Sequence, residues 1–161
     1  MRARMTEDAL DQPAAGRFAG AEHRFPVRVY FEDTDLSGVV YHANYLRYME
    51  RARSDMLRVA GIDQRATIEA GAGAYAIVDL AIRYHAPAKL DDALVVVSTV
   101  TRASPASVVI HQTVRRNAVV LTHADVTAAL VAPSGRPVRQ PRAWLDIYQR
   151  LVAQGSQEGN A

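Results

Sequence analysis

The sequence predicts an α+β domain in which an antiparallel five-stranded sheet wraps around one long α-helix. Three observations carry that prediction. Residues 24–31 alternate apolar and polar positions, residues 44–60 carry an apolar stripe at helical spacing, and most of residues 74–131 read as strands separated by short turns. A chain of 161 residues is the length of one domain and can bury a core without disulfides.

The first strand places Phe25, Val27, Val29 and Phe31 on one face, against Arg24, Arg28 and Tyr30 on the other. After a polar turn, Asn44 is a candidate helix cap. Tyr45, Tyr48, Met49, Ala52, Met56, Leu57 and Ala60 then share one helical stripe, with Arg47, Glu50, Arg51, Ser54, Asp55 and Arg58 on the opposite one. Gly61 is a plausible stop. Strands follow at 75–85, 94–101, 108–115 and 119–131, rich in Val, Ile and Thr. The turns between them, at 86–92, Ser104-Pro105 and Arg116-Asn117, are short enough to predict mostly hairpins. The sheet's apolar face and the helix stripe bury one another. Residues 1–23 are polar and aperiodic and residues 153–161 are rich in Gln, Ser and Gly, so both read as tails flanking a domain at 24–152. A sheet with one helix on one face leaves edges and apolar surface to cover, which predicts a homo-oligomer.

Composition narrows the chemistry. There is no cysteine, which excludes disulfides, thiolate metal sites and a cysteine nucleophile, and leaves carboxylates, histidines and hydroxyls. The amino-terminal stretch lacks the apolar core of a secretory signal and no later segment is long and uncharged enough to span a bilayer, so a cytoplasmic address is expected. A formal charge of +2 with scattered arginines and few aromatics gives no nucleic-acid footprint and suits an anionic small molecule equally well.

The chemically dense segment is 30–45, which packs Glu32, Asp33, Asp35, Gly38, Tyr41 and His42 into the link between a strand and a helix N-terminus. The first N–H groups of a helix lack intrahelical partners and carry its positive dipole end, so an oxyanion can be held there. A carboxylate beside such a terminus can attack a bound carbonyl or activate water. The same residues also suit a turn that partners the dipole, and spacing alone leaves both readings open.

The strings Val27-Arg28-Val29-Tyr30-Phe31-Glu32-Asp33-Thr34-Asp35, Gly38-Val39-Val40-Tyr41-His42-Ala43-Asn44-Tyr45 and Glu50-Arg51-Ala52-Arg53 resemble the hallmark of the 4-hydroxybenzoyl-CoA thioesterase family. Within it they look like the bacterial YbgC-type group associated with the Tol-Pal envelope system, and residues 84–92 are similar to that group's second signature. The resemblance implies a hotdog fold, a dimer or dimer of dimers, no metal or other cofactor, and hydrolysis of an acyl-CoA thioester. It implies that Asp35 is catalytic, that the N–H of His42 polarises the thioester carbonyl, and that the side chains of Tyr41 and His42 line the site. Gly38, Val40 and Asn44 belong to the same substrate-binding motif. Leu36-Ser37 departs from the usual pair of small residues and bears on the width of the acyl pocket.

Arg83 and Lys89 are candidates for CoA phosphates across a subunit boundary. Asp33 reads as a turn carboxylate, Glu50 as the partner of Arg47 or Arg53 and, by resemblance to hotdog relatives that use a helix glutamate, as a secondary catalytic candidate, and the histidines match no compact zinc spacing. Two other functions fit the fold: a non-hydrolytic module that binds acyl carrier protein or envelope-biogenesis partners, and hydration or dehydration of an acyl thioester. The intact 32–44 segment argues against the first. The Asp-x-x-x-x-His arrangement usual in relatives that carry out the second is missing.

Overall fold

The computed structural model describes residues 7–161 and places one sheet around one central helix. Its elements are α1 (Glu7–Leu10), β1 (Arg17–Ala19), β2 (Glu22–Arg28), α2 (Asn44–Val59), α3 (Gln64–Glu69), β3 (Ala74–Tyr84), β4 (Ala93–Ala103), β5 (Val108–Arg116), β6 (Val119–Val131) and α4 (Arg142–Glu158). The sheet has six strands, not five, in the order β1-β2-β4-β5-β6-β3, and every pairing is antiparallel.

The added strand is β1, a three-residue piece that turns at Gly20 and pairs with β2. It comes from the stretch expected as an amino-terminal tail, and His23 within that stretch is fully buried. The expected carboxy-terminal tail also changes character, because α4 continues through 153 to Glu158. Its Trp144 and Tyr148 pack with Met56, Leu57 and Ile62.

The expectation of hairpins holds for β4-β5 and β5-β6. It fails for β3, which pairs with β6 along its length while the chain crosses from its end to β4 on the far side of β5. Strand periodicity says which face is buried but carries no information on which strand is the neighbour.

The helix stripe buries as its spacing requires: Tyr45, Tyr48, Met49 and Ala52 lie against Leu94, Val96, Leu121 and Val126 from the sheet. The second half of α2 packs against Val100, Ile110, Ala128 and Leu130. Asp55, expected on the wet stripe, is buried as well. Helix α2 therefore runs along the sheet's inner face, with its N-terminus beside the loop that follows β2. Strand β3 forms one sheet edge and leaves Ile77, Val78, Leu80 and Tyr84 substantially exposed.

Candidate active site

The loop between β2 and α2 is held by backbone bonds at both ends. A 3₁₀ turn at Phe31–Asp33 follows β2, and Thr34 then bridges to Val40. Between those two residues the N–H of Asp35 donates to Val39 O at 3.0 Å, and the N–H of Gly38 donates to Asp35 O at 3.0 Å. Gly38 has φ +81°, a left-handed conformation that side-chain-bearing residues adopt at a cost, so glycine fits this corner.

Asp35 sits at the tip, exposed. Its carboxylate accepts from the Ser37 hydroxyl, and its Oδ1 also accepts from the Ser37 N–H at 2.8 Å. The hydroxyl contributes most, followed by the Ser37 amide, and together with nearby His42 they hold the Asp35 carboxyl below the ordinary carboxylate range. Asp35 is thus kept ionised, as a nucleophile or a base must be.

Asp33 anchors the loop from behind. One oxygen accepts from the Tyr30 N–H at 2.8 Å, the other from Asn44 Nδ2 at 2.9 Å, and its carbonyl accepts from the Tyr41 N–H at 2.9 Å. It is the turn carboxylate the sequence suggests. Asn44 is not a cap: Ala43 occupies the N-cap position with no side-chain bond, and the buried Asn44 amide is spent on Asp33. Its role is to fasten the loop to the first turn of α2.

Tyr41 and His42 are exposed neighbours whose rings meet edge-on at 4.6 Å between centroids. Tyr84 donates from its hydroxyl to His42 O at 2.8 Å, which pins the helix entrance to the end of β3. Among the described residues, the N–H groups of His42 and Ala43 have no protein acceptor. Two unpaired amides at the positive end of a sixteen-residue helix, close to an ionised carboxylate, form the arrangement an oxyanion requires.

The second signature, residues 84–92, folds against the first. The Val40 N–H donates to Ala88 O at 2.9 Å, the Ala88 N–H donates to Tyr45 Oη at 3.0 Å, and Val29 exchanges backbone bonds with Asp91 and Asp92. Val40 is buried under this loop rather than open to a substrate. Lys89 is exposed next to Ala88, whereas Arg83 is exposed on β3 opposite His123 and makes no bond to the 34–42 loop among the described residues. The structure thus gathers Asp35, Gly38, Tyr41, His42 and Asn44, brings Lys89 beside them, and sets Arg83 apart. Leu36 is fully exposed within the single chain.

Two features escaped sequence reasoning. Ser37, read only as a departure from pattern, is the principal partner of Asp35. His85, His111 and His123, placed in separate elements by sequence, come together on the outer sheet face: Nε2 of His85 lies 2.7 Å from Nδ1 of His123, and His111 meets Asp125 at 2.8 Å. Only the strand register, which sets His111 opposite Asp125, brings these residues together.

Residues 37–123 match the thioesterase superfamily, a span that starts two residues after Asp35. The acyl-CoA thioesterase YbgC of Haemophilus influenzae is 45% identical over 128 residues, covering 79% of this chain and 94% of that protein. The acyl-CoA thioester hydrolase YbgC of Escherichia coli is 41% identical over 111 residues, 68% and 82% of the two chains. A solved 1,4-dihydroxy-2-naphthoyl-CoA thioesterase from Synechocystis superposes with a TM-score of 0.73 at 26% identity, over 82% of this chain and 96% of that one. By motif, fold and extent of match, this chain belongs to the thioesterase superfamily.

Proposed function

We propose that this chain hydrolyses acyl-CoA thioesters, with Asp35 as the reacting carboxylate and the N–H of His42 as oxyanion donor. The observation that carries the reading is the pairing of a carboxylate held ionised by Ser37 with unpartnered amides at the start of α2. In the nucleophilic route, an Asp35 oxygen attacks the thioester carbon and the carbonyl oxygen takes negative charge at the helix terminus. The C–S bond then breaks and CoA leaves as thiolate. Water next cleaves the resulting anhydride to the acid and restores the carboxylate. In the general-base route Asp35 takes a proton from water, which attacks directly. Both routes end in a carboxylic acid and CoA.

The site works between two copies of the chain in this reading. Strand β3 is an edge with exposed Ile77, Val78 and Leu80, and two such edges paired antiparallel about a two-fold axis bring the Tyr84 end of one beside the Ala74 end of the other. Tyr84 carries His42, so the reacting loop of one protomer would overhang the β3 start of its partner.

Thiol release from short, long and aromatic acyl-CoAs tests the reading, with wild type compared with Asp35→Asn and the fold of both checked by circular dichroism. Turnover that falls by about 10²-fold or more in Asp35→Asn is expected. Equal rates in both proteins, or no turnover on any thioester, would sink it and bring forward a module that binds acyl carrier protein or envelope partners without hydrolysis. Single turnover in ¹⁸O-water separates the two routes, because label enters the Asp35 carboxylate only through the anhydride.

A further inference from the structure

Tyr84, the last residue of β3, is tied to the reacting loop through a single peptide. Its hydroxyl donates to His42 O at 2.8 Å. At a helix entrance the first carbonyls are normally taken up by N–H groups of the following turn. That of His42 receives none among the described residues, since the Leu46 N–H goes to Ala43 O at 3.2 Å and the Asn44 N–H to Tyr41 O at 2.8 Å. The Tyr84 ring is steadied by Tyr45, which it meets edge-on at 5.6 Å between centroids. Tyr45 is itself buried, and its hydroxyl accepts from the Ala88 N–H at 3.0 Å. Burial, and after it the neighbouring Tyr45, holds the Tyr84 phenol above its ordinary range, so it is a protonated donor at neutral pH. The peptide unit is planar and trans, so a bond to His42 O also fixes the direction of the N–H on its far side, which is that of Ala43. The Ala43 N–H has no protein acceptor among the described residues. A hydrogen bond accepted at the carbonyl also polarises the whole amide and strengthens its N–H as a donor, by roughly 10–30%.

We propose that Tyr84 is a positioning residue for the reaction: its hydroxyl aims and polarises the His42–Ala43 peptide, so that the Ala43 N–H serves as a second oxyanion donor beside that of His42. The proposal rests on the thioesterase reading above, in which negative charge grows on the thioester oxygen at the start of α2 beside Asp35. A donor aimed before the reaction stabilises the charged oxygen more than the neutral carbonyl, because nothing has to reorganise when the charge appears. Its loss is therefore read in kcat and only weakly in KM. A tyrosine that only stapled β3 to the helix entrance would act on folding or on substrate binding and would leave the polarisation of the bound carbonyl alone.

Two changes to the full-length protein test this. Tyr84→Phe keeps the ring against Tyr45 and removes the hydroxyl. Replacing Ala43 by lactic acid exchanges its N–H for an ester oxygen, and because that N–H has no protein acceptor the exchange removes no hydrogen bond it makes within the chain. With the acyl-CoA that the wild type turns over fastest, kcat is expected to fall by about 10²-fold in the ester protein and by about tenfold in Tyr84→Phe, with KM within about twofold of wild type. The infrared band of a ¹³C-labelled thioester carbonyl, bound to the slow Asp35→Asn protein, is expected to move to higher frequency when Tyr84→Phe is added. Wild-type kcat in either variant, an effect of Tyr84→Phe confined to KM, or a carbonyl band that stays in place overturns this inference alone and leaves Asp35 and the His42 amide in their roles. Absence of turnover by the wild type on every thioester overturns the function and this inference together.

Discussion

Asp35 and Ser37 are two positions apart in sequence and form one chemical unit. The Ser37 hydroxyl is the largest influence holding the Asp35 carboxyl low, so Ser37→Ala leaves only the amide bond and His42 to do so. In the proposed mechanism activity requires ionised Asp35 and is lost as pH falls through its pKa; the acid limb of kcat/KM in wild type is therefore expected at lower pH than in Ser37→Ala. A pH-rate profile of the two proteins checks this, and superposed acid limbs would remove Ser37 from that role. Asp33 contributes in another way, by tying Tyr30, Tyr41 and Asn44 together. Asp33→Ala leaves the buried Asn44 amide unpaired, at about 1–3 kcal/mol of stability, measurable by denaturant titration. The turn role of Asp33 was legible in the sequence because turn chemistry is local. That of Ser37 was not, since it depends on the turn that folds its hydroxyl back onto Asp35.

Among the elements, the amino-terminal strap is the least legible and the most tightly specified. Its anchor is Asp55 on α2, whose Oδ2 accepts from the Gly16 N–H at 2.9 Å and lies 2.8 Å from Nε2 of the buried His23. A methyl group on Gly16 would stand 2.6 Å from Arg24 O and 2.7 Å from Asp55 Oδ2, contacts that a packed backbone cannot relieve. Gly16→Ala is expected to cost about 1–3 kcal/mol in chemical denaturation. Burial pushes the His23 pKa below its usual value despite the opposing pull of Asp55, and its Nδ1 has no partner among the described residues. The unfolded chain therefore binds the proton more readily, so stability declines as pH falls through the ordinary histidine range toward the depressed folded value. His23→Gln flattens that part of the stability-pH curve; an unchanged slope would place the proton uptake elsewhere. Asp55 read as a solvated helix residue because its partners arrive from 32 and 39 positions away. Helix α4 escaped for a related reason. Its Gly155 resembles a tail residue, yet it lies where a Cβ would already touch Ala21, so it marks close packing rather than the end of order. The long helix and β4, β5 and β6 were legible because each buries a face of its own, whereas β3, with no fully buried residue, was legible from its strand-forming composition.

At the scale of the whole molecule, the sheet is closed on one side and open on the other. The short β1 covers the β2 edge, whereas eleven-residue β3 presents an exposed edge with Ile77, Val78 and Leu80 along it. Soluble proteins interrupt such an edge with charge or cover it, and from Ala74 to Tyr84 only Asp79 and Arg83 are charged. In the proposed function, self-pairing would also complete the site, since it would set the 35–42 loop of one copy over the start of β3 of the other. Oligomer and activity are then a single property, and a double substitution Val78→Lys with Leu80→Lys separates this arrangement from a self-sufficient protomer. Lysines on both strands of a paired edge repel, so the variant is expected to sediment as a monomer where wild type sediments as a dimer or larger. Thiol release should fall with it by tenfold or more while circular dichroism holds, because the edge lies outside the main core. A folded, monomeric and fully active variant would mean that one chain holds the complete site, and the acyl group would then have to lie beside Asp35 in its own protomer.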